Sequence, residues 1–464
     1  MPSRSLRKKT AEAIQREIAR EVDRLLNAIF QDRRKSGRLD LEAVETLIRS
    51  AMHRAGAAAL TKLLQHDPPD EDQRMIPCSR GHSARYKELR SKTIPAVPGP
   101  VELNRPYYLC AHCSKGQCPV DVELGVAELE SSPGVRRMEA VVGSEMPFAS
   151  GCEPMKVLAG LDVPAKAIER ASEAIGAQIA RRDAQEIGRA KQTVLPVVVK
   201  RNIPKMYVPM DGVQVPVVRK ETEGRAGRIE GRLARTRECK LGCVFTQTTV
   251  DKEGWPIRDP DSTTCVGAIE TAAEFGFRLY TEAWGGGWEW ATIKVVIGDG
   301  AVWIWNPADR HFPGAIQIVD LHHAREHLWK IAAWLHPNDV VAKKLRMTPM
   351  KDLLDSGQIE PLVARLREIA AEHAISQPGI TEEILKEAEY FETNTSRMRY
   401  PEFRAQGLFA GSGVIEAGCK AVIGSRLKQS GMFRTVRGAN DIIALRCRRL
   451  NGRFEDYREA TPAA

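Results

Sequence analysis

The chain has 464 residues, with 69 Lys and Arg against 60 Asp and Glu, a net charge of +9 and ten cysteines, which is length for about three domains. So mild a positive balance is compatible with a polyanionic partner without demanding one, and no stretch approaches the roughly 18 to 20 apolar residues of a membrane span. Residues 1–26 are charged throughout and lack the apolar centre of a secretory signal, so a cytoplasmic location is expected, with cysteines that bind metal or pack rather than form disulfides.

In chain order, Ile14, Ile18, Val22, Leu25, Leu26 and Ile29 recur at three- and four-residue spacing, predicting amphipathic helices from about Arg7 to Leu64. The acidic, proline-bearing tract His66 to Asp72 reads as a linker, so residues 1–72 form a helical N-terminal arm. Residues 73–122 carry Cys78, His82, Cys110 and Cys113, with strand-like runs at Thr93 to Val97 and Tyr107 to Leu109. A CxxC pair and a second Cys/His pair a hairpin's length away have the spacing of a structural zinc site, with Cys118 an alternative fourth ligand. Such a staple stands in for the core that a small module lacks. Residues 123–198 read as helical. Within them Glu153 to Leu158, a break at Ala159-Gly160, and Pro164 to Ile179 predict two helices joined by a tight turn. That pair is either a helix-turn-helix, with its second helix in a DNA major groove, or an ordinary helical hairpin.

After Pro196 the pattern changes. Met206 to Val218, Cys243 to Val250, Lys294 to Ile297 and Ala315 to Val319 read as strands and Val266 to Glu282 as a helix, giving a mixed α/β sheet. Leu321 to about Glu392 reads as helical, and so do the stretches containing Gly413 to Leu427 and Ala439 to Leu450. Two aspartates, Asp211 in YVPMDG and Asp299 in KVVIGDG, stand at strand ends, each before a glycine. A carboxylate so placed projects from a rigid sheet edge beside backbone that substrate can approach closely, although Asp-Gly is also a common turn pair. Glu416, in GSGVIEAGCKAVIGSRLKQSG, falls in the first turns of a helix. Strand Asp, strand Asp, helix Glu is the order in which ribonuclease-H-like nucleases assemble a metal site. Mg²⁺ is a hard cation that takes such oxygen ligands, and two ions about 3.5 to 4 Å apart activate a water or a DNA 3′-hydroxyl and stabilise the departing oxygen.

Residues 207–334 and 411–446, through the strings MDGVQVPVVRKETEGRAGR, TRECKLGCVFTQT, STTCVGAIETAAEFGFR, VVIGDGAVWIWN, FPGAIQIVDLHHAREHLW and GSGVIEAGCKAVIGSRLKQSGM, closely resemble the ISKra family of insertion-sequence transposases. The resemblance implies a bacterial, nucleoid-associated DDE transposase, with Asp211, Asp299 and Glu416 as a catalytic triad holding Mg²⁺ or Mn²⁺. It implies an α/β ribonuclease-H-like catalytic domain over residues 199–464, interrupted by an all-helical insertion at about 335–410 as in Mutator-like relatives. It extends to a zinc-ribbon-like module ahead of that domain, so the fold expected is arm, zinc ribbon, helix-turn-helix-like region and catalytic domain. The implied reaction is cleavage at terminal inverted repeats and strand transfer into target DNA, by at least a homodimer because two DNA ends must meet. The sequence departs from the family at Phe433 and Arg434, where Trp-Ser is frequent. The alternatives are a catalytically silent DNA-binding regulator derived from a transposase and a structure-selective nuclease of the same fold; the three intact carboxylates weigh against the first, the N-terminal modules against the second.

Asp320 and His323, in VDLHHAREH, resemble the Asp-x-x-His element of Mutator-like transposases and are read either as positioning DNA or as a helix cap and a packing histidine. Lys420 lies four residues after Glu416, on the same face of an α-helix; with Arg426, Lys428, Arg434 and Arg437 it is expected to contact phosphates, a surface ion pair being the plainer reading. The basic, glycine-broken run Glu221 to Arg237 is expected to be a loop that closes on DNA, or a solvated hairpin.

Overall fold

The computed structural model describes residues 4–36, 40–224, 228–229, 232–233 and 235–459. The chain forms two compact units, residues 1–175 with 456–464, and residues 176–455.

In the first unit α1 (Arg4–Ser36) packs on α2 (Leu41–Leu63). Asp40 starts α2 by accepting the Ala43 N–H, which satisfies one of the donors a helix start leaves unpaired. Glu21 of α1 is buried and pairs with Arg24 and, at 2.8 Å, with Arg54 of α2, while Ile18 and Leu26 of the apolar stripe stay exposed. Four antiparallel strands follow in sequential order, β1 (Met75–Pro77), β2 (Ser83–Ala96), β3 (Gly99–Cys110) and β4 (Gly116–Gln117). β2 and β3 make one long hairpin with a bulge at Tyr86/Glu88, of which the two short strand-like runs in the sequence are fragments. Its turn end packs Ile94, Ala96, Val101 and Leu103 against Ala57, Leu60 and Leu64. The expected linker is tied to this sheet, His66 N–H donating to the Asn104 carbonyl at 3.0 Å.

After the short α3 (Pro119–Glu123) come α4 (Pro133–Glu145), α5 (Phe148–Ala159) and α6 (Ala165–Lys191), sharing a core of Val135, Met155, Leu161, Val163 and Ile168. α5 ends at Gly160, in the left-handed conformation. The boundary between the units falls at residues 175 and 176, inside α6, rather than at the change of composition after Pro196.

The second unit is built on a five-stranded sheet. Its strands in chain order are β5 (Ile203–Pro216), β8 (Thr236–Gln247), β11 (Thr264–Ala268), β12 (Ala291–Gly298) and β13 (Ile316–Val319); two small hairpins, β6 (Arg228–Ile229) with β7 (Arg232–Leu233) and β9 (Thr249–Val250) with β10 (Pro256–Ile257), lie outside it. Spatial order is β11-β8-β5-β12-β13. The first three strands are antiparallel, and β5, β12 and β13 are parallel. Met206 to Met210 and Val295 to Gly298 are continuously buried, as strands covered on both faces must be. In the basic run Glu221 to Arg237 the β6–β7 hairpin is described, while residues 225–227, 230–231 and 234 lie outside the described residues.

The helix predicted from Val266 to Glu282 is a strand and a shorter helix. Thr264–Ala268 is the edge strand beside β8, and α7 (Ala272–Gly285) begins only after Thr271, which forms a reciprocal capping box with Glu274. A short apolar run does not distinguish strand from helix by periodicity, but Thr-x-x-Glu marks a helix start. α8 (Val302–His311) links β12 to β13. Helices α9 (Leu321–Leu335), α10 (Val340–Asp355), α11 (Ile359–His373), α12 (Pro378–Thr393) and α13 (Tyr400–Ala405) then separate β13 from α14 (Gly413–Gly418). One core runs from Val295 and Ile318 in the sheet through Leu328, Leu354, Leu362 and Phe391, so these helices extend the sheet's core. After α14 come a π-helical turn (Cys419–Gly424), α15 (Ser425–Leu427) and α16 (Val436–Leu450). Among the described residues no helix is long and apolar enough to cross a membrane.

Candidate functional site

β5 and β12 run parallel in a constant register, Ile203 beside Ala291 and Pro209 beside Ile297. Asp211 and Asp299 each follow that last pair by two residues, Asp211 still inside β5, which runs on to Pro216, and Asp299 just past the end of β12. Asp211 Oδ1 accepts the Gly212 N–H at 2.6 Å, and its Oδ2 accepts the Cys419 thiol at 3.4 Å. Asp299 Oδ1 accepts the Ala301 N–H at 2.8 Å. Burial pushes the Asp211 carboxyl above its ordinary range; the Gly212 and Cys419 bonds oppose this, the Asp299 charge adds to it, and His323 opposes it.

The turn after β12 is braced from α12. The Tyr390 hydroxyl donates to the Asp299 carbonyl at 2.8 Å, and the Tyr390 ring stacks on His327, centroids 4.0 Å apart, which in turn hydrogen-bonds Glu387. Gly300 has φ +98°, and a Cβ there would lie 2.4 Å from the Tyr390 ring. Only glycine meets both conditions.

Glu416 lies on α14, which packs against β5 and β8, one turn before the cysteine that reaches Asp211. It is exposed and accepts the Ser412 hydroxyl at 2.8 Å. Asp320 is fully buried and caps α9: one carboxylate oxygen accepts the His323 N–H at 2.7 Å and the other the Ser412 N–H. A carboxylate so enclosed has no face for DNA. The His323 ring is half-buried, 3.3 Å from Glu326.

The partners of Asp211, Asp299 and Glu416 are thus backbone N–H groups, a thiol and a hydroxyl, which leave the carboxylate charges to a cation from solution. Their oxygens do not all lie within 4.8 Å of one another, and a two-ion site does not require it. Ions about 4 Å apart, each at about 2 Å from its ligands, spread the outer oxygens over roughly 8 Å. The donor set, three carboxylates whose hydrogen bonds come from backbone N–H groups, a thiol and a hydroxyl, is of the oxygen type that a hard divalent cation such as magnesium takes.

Of the basic residues named from sequence, Arg426 is corrected outright. It is fully buried, with Nη1 3.3 Å from Met432 Sδ, and cannot lie on a phosphate-binding surface. Lys420 and Lys428 are exposed, Arg437 more so at 87% of its side chain, and Arg434 is half-buried with its carbonyl accepting the Val218 N–H. Lys420 sits in the π-helical turn, where α-helical spacing from Glu416 does not hold. Sequence reading passed over Ser412, Cys419 and Tyr390. The first two lie one helical turn to either side of Glu416, a spacing that could have flagged them; nothing in the sequence links Tyr390 to Asp299.

In the first unit, Cys78, His82, Cys110 and Cys113 have ligand atoms all within 4.8 Å of one another. Cys78 and His82 close the β1–β2 turn, where the Cys78 N–H donates to the His82 carbonyl at 2.6 Å; Cys110 and Cys113 close the β3–β4 turn. The Arg80 backbone N–H holds the Cys78 thiol below its ordinary value. The group can hold a structural metal such as zinc, which takes four Cys and His ligands tetrahedrally. Cys118 stands apart, as the residue preceding α3.

No protein-family model and no curated protein matches the chain. Among solved structures it is similar to the Drosophila P element transposase strand transfer complex, with a TM-score of 0.27 and 9% identity over 70% of this chain and 100% of that chain. A likeness of that size carries no weight in assigning a function.

Proposed function

We propose that the chain is a DDE transposase with a ribonuclease-H-like catalytic domain, as its resemblance to the ISKra family implies. The observation that supports this reading is the register of β5 and β12, whose last paired residues, Pro209 and Ile297, each stand two residues before an aspartate, Asp211 within β5 and Asp299 just past the end of β12, with the helix of Glu416 joined to Asp211 through Cys419. The sheet order, three antiparallel strands followed by two parallel ones, supports it.

Asp211, Asp299 and Glu416 would hold two Mg²⁺ or Mn²⁺ ions, which when bound supply an activated water or 3′-hydroxyl and neutralise the departing oxygen. Tyr390 fixes the turn carrying Asp299. Lys420, Lys428 and Arg437, all exposed, are read as meeting DNA phosphates, and α5 with α6 and the Cys3His ribbon as recognising the element's ends. Two ends must be held at once, so the working form is at least a dimer.

The test is incubation of the full chain with Mg²⁺ and duplexes taken from the DNA flanking its gene on either side. Nicking at a defined boundary, followed by joining of the freed 3′ end to a second duplex, is expected. Binding without cutting would support the silent regulator instead, and cutting of branched DNA regardless of sequence the structure-selective nuclease.

A further inference from the structure

We propose that Ser412, docked on buried Asp320, is a positioning residue that sets the Glu416 carboxylate for metal binding; this rests on the reading of Glu416 as a metal ligand. Capping α9 occupies one Asp320 oxygen, at the His323 N–H. The other oxygen accepts the Ser412 N–H from 92 residues away, and beside it the Leu321 N–H donates to the Ala410 carbonyl at 2.9 Å. The loop before α14 is therefore held to the start of α9 by two bonds, one of them to a carboxylate with no exposure to water, where such bonds are strong.

What this anchored loop presents is the Ser412 hydroxyl, which donates to Glu416 Oε1 at 2.8 Å. An exposed glutamate otherwise ranges over many rotamers, and ordering it on metal binding costs entropy. With Oε1 held, the carboxylate is already oriented and Oε2 remains for an ion. Residues that orient a ligand in this way typically change metal affinity by about 10- to 100-fold when removed. Asp320 and Ser412 thus act on the metal through Glu416, and the second half of the Asp-x-x-His element contributes a backbone N–H to the same junction.

The test is Mn²⁺ titration of the full chain followed by electron paramagnetic resonance, with wild type, Glu416→Gln, Ser412→Ala and Ser412→Thr compared at equal melting temperature. Ser412→Ala is expected to weaken Mn²⁺ binding about tenfold, and Ser412→Thr, which keeps the hydroxyl, to restore it. If Ser412→Ala lowers the melting temperature, Ser412→Cys replaces it: its shape is similar and its donor weaker, so its affinity should fall between the two. Wild-type affinity in Ser412→Ala or Ser412→Cys, with Glu416→Gln impaired, overturns the positioning role alone. Wild-type affinity in Glu416→Gln overturns the reading of Glu416 as a ligand, and the positioning role with it.

Discussion

His311, on α8, is packed against the rings of Phe277 and Tyr280, where burial, aided by Arg310, pushes its pKa from 6.5 down to about 4. The folded state therefore keeps this imidazole neutral while the unfolded chain protonates it below about pH 6.5. The stability is intact above pH 6.5 and is lost as pH falls from there toward 4, by on the order of 3 kcal/mol from this group. Urea unfolding at pH 7 and pH 4.5 should show a smaller drop for His311→Gln than for wild type; equal drops would exclude the histidine as a cause. At Gly300 the constraint is steric. Gly300→Ala must place a Cβ against the Tyr390 ring at φ +98°, a backbone cost of about 1 to 2 kcal/mol before the clash. The turn carrying Asp299 should shift, so Mg²⁺-dependent cleavage is expected to fall by at least about tenfold, and the melting temperature by at least a few degrees. Unchanged cleavage by Gly300→Ala would show that the Tyr390 brace has no part in activity.

At the scale of elements, the ribbon should carry roughly one zinc per chain. Metal analysis of Cys110→Ser with Cys113→Ser should find it lost, and the β2–β3 hairpin should become more susceptible to protease; a metal-free wild-type protein in reducing buffer contradicts this. The four ligands were legible because zinc chemistry dictates residue type and spacing together. Asp211 and Asp299 were each visible as a carboxylate following an apolar run, but Asp211, expected at a strand end, lies inside β5, which continues to Pro216, and the approach of the two strands was not visible, because it depends on β5 pairing in parallel with a strand 88 positions later. Thr264–Ala268 was misread because an apolar run beside a helical one carries no boundary of its own, whereas the capping box at Thr271 did mark it. Arg426 was misassigned for the opposite reason: its charge argues for solvent, and only the packing around α15 buries it. The long-range bonds Asp320 to Ser412 and Tyr390 to Asp299 leave no local trace.

Across the whole molecule, a net charge of +9 is too small to identify a nucleic-acid enzyme, and the proposal of one rests on three carboxylates in the second unit. The helices between β13 and α14 belong with them, because Tyr390 on α12 and the junction at Asp320 connect these helices to two of the three acidic positions. The measurement that bears most directly on this is cleavage of flanking-DNA duplexes in Mg²⁺ by wild type, Asp211→Asn, Asp299→Asn and Glu416→Gln, with DNA binding measured in parallel. Each variant removes one ligand charge at nearly constant volume, so cleavage is predicted for wild type alone, with all four proteins binding DNA alike; near-normal cleavage by any one of the three variants would contradict the metal-ion reading of the site.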